Sequence, residues 1–197
     1  AASEYPQSML DSFRDELINK TSGEIINHEV ELTDLDFRPL LLRTRKDPAD
    51  AIFVNLGLQQ IGIMLRQIRE LNINTPRLSN FWAYGRTNFD TAGAQALEGL
   101  VFVMPSLNKQ KFNELAGLFR LAEATAPVYT CFASMAAILE VFEKNTNLDG
   151  PRAVAQALKR QNEVALPDEQ LKMENRLALF PLDLMVFRGG KLQLYSE

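Results

Sequence analysis

One histidine and one cysteine are the whole stock of their kinds in these 197 residues. His28 sits among Asn27 and Glu29 in a β-rich run, where a solvated or half-buried strand position is the plain expectation. With no second histidine, and Cys131 alone, a zinc site of the usual ligands is not expected. Cys131 falls in an apolar helical stretch, where a small buried filler is expected rather than a nucleophile. Gly57 and Gly62 do not make a dinucleotide fingerprint, and no Gly-x-Ser-x-Gly elbow occurs. Asp34 and Asp36 are close in sequence, but the second reads as a helix cap. General acid–base work needs paired groups in a cleft, and none stand out. What remains is non-covalent recognition. Phe81, Trp82 and Tyr84 cluster where a strand should exit, and could form a stacking wall or pack beneath the adjacent loop. Asn55, Leu56 and Gly57 follow the preceding strand and offer an amide and an approachable backbone. Tyr5 precedes the first helix.

These residues matter because of the elements that carry them. Three β-rich runs are each followed by a helical pattern: Glu24 to Glu31, Ala51 to Leu56, and Arg77 to Asn80. A fourth run, Leu100 to Met104, closes the set. Strands alternating with helices predict βαβ units and a parallel α/β sheet. Such sheets bind ligands at the carboxyl ends of their strands, which is where Asn55 to Gly57 and Phe81 to Tyr84 fall.

Helices are expected over Pro6 to Lys20, from near Asp36 to Lys46, over Ile61 to Glu70, and over Asp90 to Leu97. The third has the clearest stripe, Ile61, Met64, Leu65 and Ile68. Further helices are expected over Lys109 to Glu123, Val128 to Lys144 and Gly150 to Arg160. The Val128 helix is apolar nearly all round, so it is expected to be buried. Leu182 to Phe187 and Leu192 to Tyr195 flank Gly189-Gly190, a hairpin signal. The first helix has no strand before it, so the chain is expected to be a piece of a longer protein.

Bulk properties narrow the function. The net charge is −4, which argues against a general nucleic-acid binder. No polybasic segment would hold an anionic membrane, and no apolar run reaches the roughly 18 residues of a membrane span.

The ordered set Asp36-Phe37-Arg38-Pro39-Leu40-Leu41, Pro48-Ala49-Asp50-Ala51-Ile52-Phe53-Val54, Gly62 through Leu71, and Glu98-Gly99-Leu100 resembles the type I periplasmic binding proteins. The branch it is most similar to is the leucine/isoleucine/valine-binding group that serves ABC transporters. The resemblance implies a three-layer, doubly wound parallel sheet. Residues 1–105 would be the second-lobe α/β core, residues 106–160 helices returning toward the first lobe, and residues 161–197 a crossover and C-terminal β hairpin. The first lobe would be largely absent. It further implies a small-molecule ligand in an inter-lobe cleft, a membrane permease as partner, a periplasmic or lipid-anchored extracytoplasmic location, no cofactor, no metal and no catalysis. Tyr5 matches an aromatic that contacts ligand in the family. Gly57 falls where a tyrosine is common, and Phe81 where an acidic residue pairs with the ligand ammonium. Without that carboxylate an uncharged or aromatic solute is expected instead of an ordinary α-amino acid. A sensory or regulatory module of the same fold is the alternative, an enzyme the weakest reading. Self-association of the exposed half-cleft is a further expectation.

Overall fold

The computed structural model describes residues 4–106, 117, 126–145, 148–165, 170–174 and 177–196. Two compact units emerge, one of residues 1–104 with 184–197, the other of residues 105–183. The expected helix over Lys109 to Glu123 lies outside the described residues.

The first unit opens with helix α1 (Glu4–Lys20) and α2 (Arg38–Lys46). Strand β1 (Ile52–Val54), helix α3 (Leu58–Glu70) and strand β2 (Arg77–Ser79) follow. A single 3₁₀ turn (Phe81–Ala83), helices α4 (Arg86–Ala92) and α5 (Ala94–Leu97) and strand β3 (Leu100–Pro105) complete the run. The expected helix at Asp90 to Leu97 is two helices, because Gly93 turns to φ +76° between them.

Strands β1, β2 and β3 pair in parallel, with Val54 opposite Ser79 and Ser79 opposite Phe102. Adding parallel strands in chain order carries both crossovers to one face, since such connections are right-handed. Leu100, Phe102 and Met104 are buried on that face. There the half-buried Arg77 sends its Nη1 to Ala96 O (3.2 Å) and Nη2 to Glu98 O (2.6 Å), closing the end of α5. Burial pushes the Arg77 pKa down. The opposite face carries Phe53, whose ring meets Phe13 of α1 at 4.8 Å. The sheet thus has helices on both faces, as the sequence predicts.

Helix α3 is the spine of this layer. Ile61, Leu65 and Ile68 are fully buried. It ends at Asn72, which takes φ +53°. There Asn72 N–H donates to Arg69 O (2.9 Å) and Ile73 N–H to Ile68 O (3.1 Å). That is the paired-bond stop that a left-handed residue permits.

The run Glu24 to Glu31 is not a strand. It is irregular and mostly exposed, which corrects the expectation of a third βα repeat. A strand persists only with a ladder partner for its backbone, and no described strand pairs with this run. Its far end is held by side chains instead: Gln60 Nε2 donates to Glu31 O (2.8 Å) and Asp34 O (3.0 Å). His28 is correspondingly exposed, outside any strand. Asp36 does not cap α2 as expected. Phe37 occupies that position, and Asp36 Oδ1 accepts from Arg38 N–H at 3.3 Å and Arg38 Nη1 at 3.0 Å.

Strands β7 (Leu182–Arg188) and β8 (Lys191–Leu194) finish the sheet, in the order β1-β2-β3-β7-β8. They form the expected antiparallel hairpin, with Arg188 opposite Lys191. Gly189 and Gly190 take φ +59° and +72°, the left-handed pair that a two-residue hairpin turn demands.

The second unit holds helix α6 (Ala126–Lys144), helix α7 (Gly150–Arg160) and strands β4 (Glu163–Ala165), β5 (Gln170–Glu174) and β6 (Leu177–Leu179). These strands form an antiparallel sheet, where the sequence suggested only a connecting crossover. Ala133 and Ala137 of α6 pack with Val164 and Leu171, flanked by Leu158 and Phe180. The other side of α6 is open. Met135, Leu139 and Phe142 are each more than half exposed, and Cys131 on the same side is exposed too. This corrects the expectation that the helix is buried all round and that Cys131 is a core filler.

Candidate functional site

The carboxyl ends of β1 and β2 lie side by side, because the two strands are in register and parallel. The residues leaving them are therefore neighbours despite being 25 positions apart. Asn80 Nδ2 donates to Asn55 Oδ1 at 2.8 Å and ties the two exits together. Leu56 is half-buried and Gly57 exposed at the N-cap of α3.

The chain then turns sharply. Asn80 Oδ1 accepts from Trp82 N–H at 3.0 Å, so one buried asparagine caps the turn and bridges the strands. Within the turn the Phe81 and Trp82 rings lie 4.7 Å apart and 30° from parallel. Both are half-buried. The two rings brace one another at the strand exit.

Tyr84 is placed differently. Its ring meets Phe89 edge-on at 5.7 Å and lies over Phe102 at 6.4 Å. Phe89 in turn contacts Phe187 at 5.0 Å. The two readings of the aromatic cluster therefore divide. Phe81 and Trp82 stand at the rim, and Tyr84 joins the packing beneath it. Tyr5 lies in the first turn of α1, and its side chain is outside the described residues.

The rim carries no charge of its own. Neither 55–57 nor 80–84 contains an acidic or basic residue. Among the described residues no group of histidine, cysteine, aspartate or glutamate could hold a metal ion. What the rim offers is an aromatic pair and side-chain amides, which is chemistry for holding a molecule.

Sequence reasoning missed the polar groups that build this edge. Asn88 is fully buried. Its Oδ1 accepts from Gly62 N–H (2.9 Å) and its Nδ2 donates to Trp82 O (2.8 Å). Gln67, also buried, accepts from Phe37 N–H (2.7 Å) and donates to Leu35 O (2.8 Å). A signal was present for the glutamines. Gln60 and Gln67 are seven apart and flank the stripe of Ile61, Met64, Leu65 and Ile68, so they sit toward the core side of α3.

No protein-family model matches the chain, and no curated protein matches it. Solved structures do. A leucine-binding protein LivK from Thermotoga maritima is 18% identical with a TM-score of 0.74, over 93% of this chain and 55% of its own. LivJ from Streptococcus pneumoniae, a branched-chain amino acid transporter substrate-binding protein in complex with isoleucine, is 17% identical with a TM-score of 0.76. That match spans 98% of this chain and 57% of LivJ. Rp1789 from Rhodopseudomonas palustris gives a TM-score of 0.81 at 14% identity, over 98% of this chain and 61% of the other. The chain spans little more than half the length of these structures. The likeness establishes its fold, that of the type I periplasmic binding proteins.

Proposed function

We propose that this chain is part of a solute-binding protein of an ABC-type uptake system, and that the rim of Asn55, Phe81 and Trp82 contacts the ligand. The observation that carries the reading is the half-buried aromatic pair at the carboxyl ends of parallel strands, the position where open α/β sheets take ligands. The fold likeness supports it, since it is shared with proteins named for leucine and branched-chain amino acid binding. A membrane permease would be the partner, and the protein would work outside the cytoplasmic membrane, either free in the periplasm or lipid-anchored. No described helix is long and apolar enough to cross a membrane.

The finer proposal concerns the ligand. A buried ammonium needs an opposing carboxylate, because an uncompensated charge is expensive to desolvate. The rim provides none. It favours the apolar or aromatic part of an uncharged solute, held by stacking and by amide hydrogen bonds. A branched-chain amino acid is the second reading, favoured by the isoleucine in complex with LivJ.

Calorimetric titration of the full-length protein with leucine, isoleucine and a panel of neutral aromatic solutes separates the two. We expect an aromatic solute to bind and Trp82→Ala to weaken it about tenfold, roughly 1.4 kcal/mol. Tight leucine binding that survives Trp82→Ala unchanged would overturn both the ligand class and the rim.

A further inference from the structure

Trp82 has both of its backbone polar groups held by buried asparagine side chains. Its N–H donates to Asn80 Oδ1 (3.0 Å), and its C=O accepts from Asn88 Nδ2 (2.8 Å). Asn80 comes from the end of β2 and Asn88 from α4, so the clamp closes from two different elements. Each amide is used at both ends. Asn80 passes its other contact to Asn55 on the exit of β1, and Asn88 passes its own to the Gly62 N–H of α3. Both residues are at most 1% exposed. Within the turn the Phe81 ring braces the indole, but the turn's own backbone bonds, Ala83 N–H to Asn80 O and Tyr84 N–H to Phe81 O at 3.1 Å each, hold neither polar group of Trp82, whose backbone needs an outside constraint. The four-residue relay from Asn55 through Asn80 and Asn88 to Gly62 supplies that constraint.

Gly62 is part of the device. A Cβ there would stand 3.0 Å from Asn88 Cα, Asn88 O and Thr91 Cβ. Only a residue without a side chain lets α4 come close enough for Asn88 to reach both α3 and the turn.

We propose that Asn88, with Gly62 and Asn80, is a positioning residue that fixes the aim of Trp82 before any solute arrives. This rests on the reading of Trp82 as a ligand contact. Rigid aromatic anchors held in advance lose less entropy on binding, and the clamp is how this chain prepares one.

The test does not need the solute. Trp82 is the only tryptophan of the 197-residue chain, so acrylamide quenching of intrinsic fluorescence reports on this turn alone. Asn88→Asp keeps the acceptor for Gly62 N–H but sets an oxygen against Trp82 O. It is expected to raise the quenching constant severalfold and move emission to longer wavelength, with the far-ultraviolet circular dichroism of the parent. Asn80→Asp keeps the acceptor for Trp82 N–H and sets its other oxygen against Asn55 Oδ1 instead of against Trp82, so at equal cost in stability its quenching should rise much less. A folded Asn88→Asp chain quenched like the parent overturns the proposal. So does a rise in both variants that simply follows their loss of stability. If Asn88→Asp does not fold, Gly62→Ala tests the same clamp by pushing α4 away, and unchanged quenching there counts equally against it. A rim that binds no solute at all would leave these fluorescence outcomes intact, so the two readings fail separately.

Discussion

Helices α3 and α6 both carry large apolar side chains, and these meet opposite fates. On α3 the apolar stripe is covered by α4, α5 and the sheet, and the amide side chains buried with it are paired. Gln60, Gln67, Asn80 and Asn88 hold backbone groups, and Ser79 Oγ donates to Val54 O at 2.8 Å. On α6 the small residues Ala133 and Ala137 are covered while Met135, Leu139 and Phe142 face outward. Nearby Gln161, at the end of α7, buries both ends of its amide without a partner. The difference teaches that apolar content says a helix wants cover, while only periodicity says where the cover lies. Helix α3 has a stripe, so its inward face is determined. Helix α6 has apolar residues at nearly every angle, so its sequence is compatible with burial from any side.

The largest effect that sharpens this contrast comes from two leucines of identical chemistry. Leu65 is fully buried and Leu139 is 57% exposed. Leu65→Ala should lose about 2–5 kcal/mol, the transfer and cavity cost of a buried leucine. Leu139→Ala should stay within about 0.5 kcal/mol of the parent. Urea unfolding of both variants measures this. Equal losses would mean that α6 is covered in solution, and the contrast between the helices would disappear.

A smaller effect tests the polar side of the comparison. Gln67→Leu preserves apolar bulk on α3 but strands the buried Phe37 N–H and takes the donor from Leu35 O. The expected loss is about 1–3 kcal/mol, the desolvation penalty of unpaired backbone groups. Gln161→Leu should be neutral or stabilising, because it removes an amide that has no partner to lose. If both substitutions destabilise alike, the pairing of buried amides does not distinguish the two units.

These contrasts mark what was legible in the sequence. The stripe of α3, the three parallel strands and the Gly189-Gly190 turn each have a local cause that one segment contains. The rim followed from them, since parallel strands align their exits. The run Glu24 to Glu31 was not legible. It holds the β-favouring Ile25, Ile26 and Val30, but a strand requires a partner ladder, and sequence pattern does not say whether one stands beside it. Asn88 was hidden for another reason. A polar residue in a short helix reads as solvated, and its burial depends on Gly62 26 positions earlier. Tyr84 shows the same limit: only the fold sends its ring toward Phe102 while Trp82, two residues before, stays at the rim.

The smallest effect concerns a charged pair on α6. Glu140 ion-pairs with Lys144, and its Oε2 accepts from Ala165 N–H at 3.1 Å, tying α6 to β4. The pairing with Lys144, followed by that backbone hydrogen bond, holds the Glu140 carboxyl below the usual carboxylate range. A group whose folded pKa is depressed contributes stability above its unfolded pKa, and that contribution fades as pH falls through the folded value. The α6–β4 contact should therefore weaken on acidification below about 4.3, the ordinary glutamate pKa. Glu140→Gln keeps an acceptor for Ala165 and removes the titration. Hydrogen exchange at Ala165 should then be insensitive to pH in the variant, after correction for intrinsic rates, and accelerate with acid in the parent. The α3 layer supplies the control, because Gln60, Gln67 and Asn88 hold its backbone with amides that do not titrate. Acid should loosen α6 from β4 before it loosens α3 from the turn at Trp82, and loss of both together would show that the two regions do not differ in what secures them.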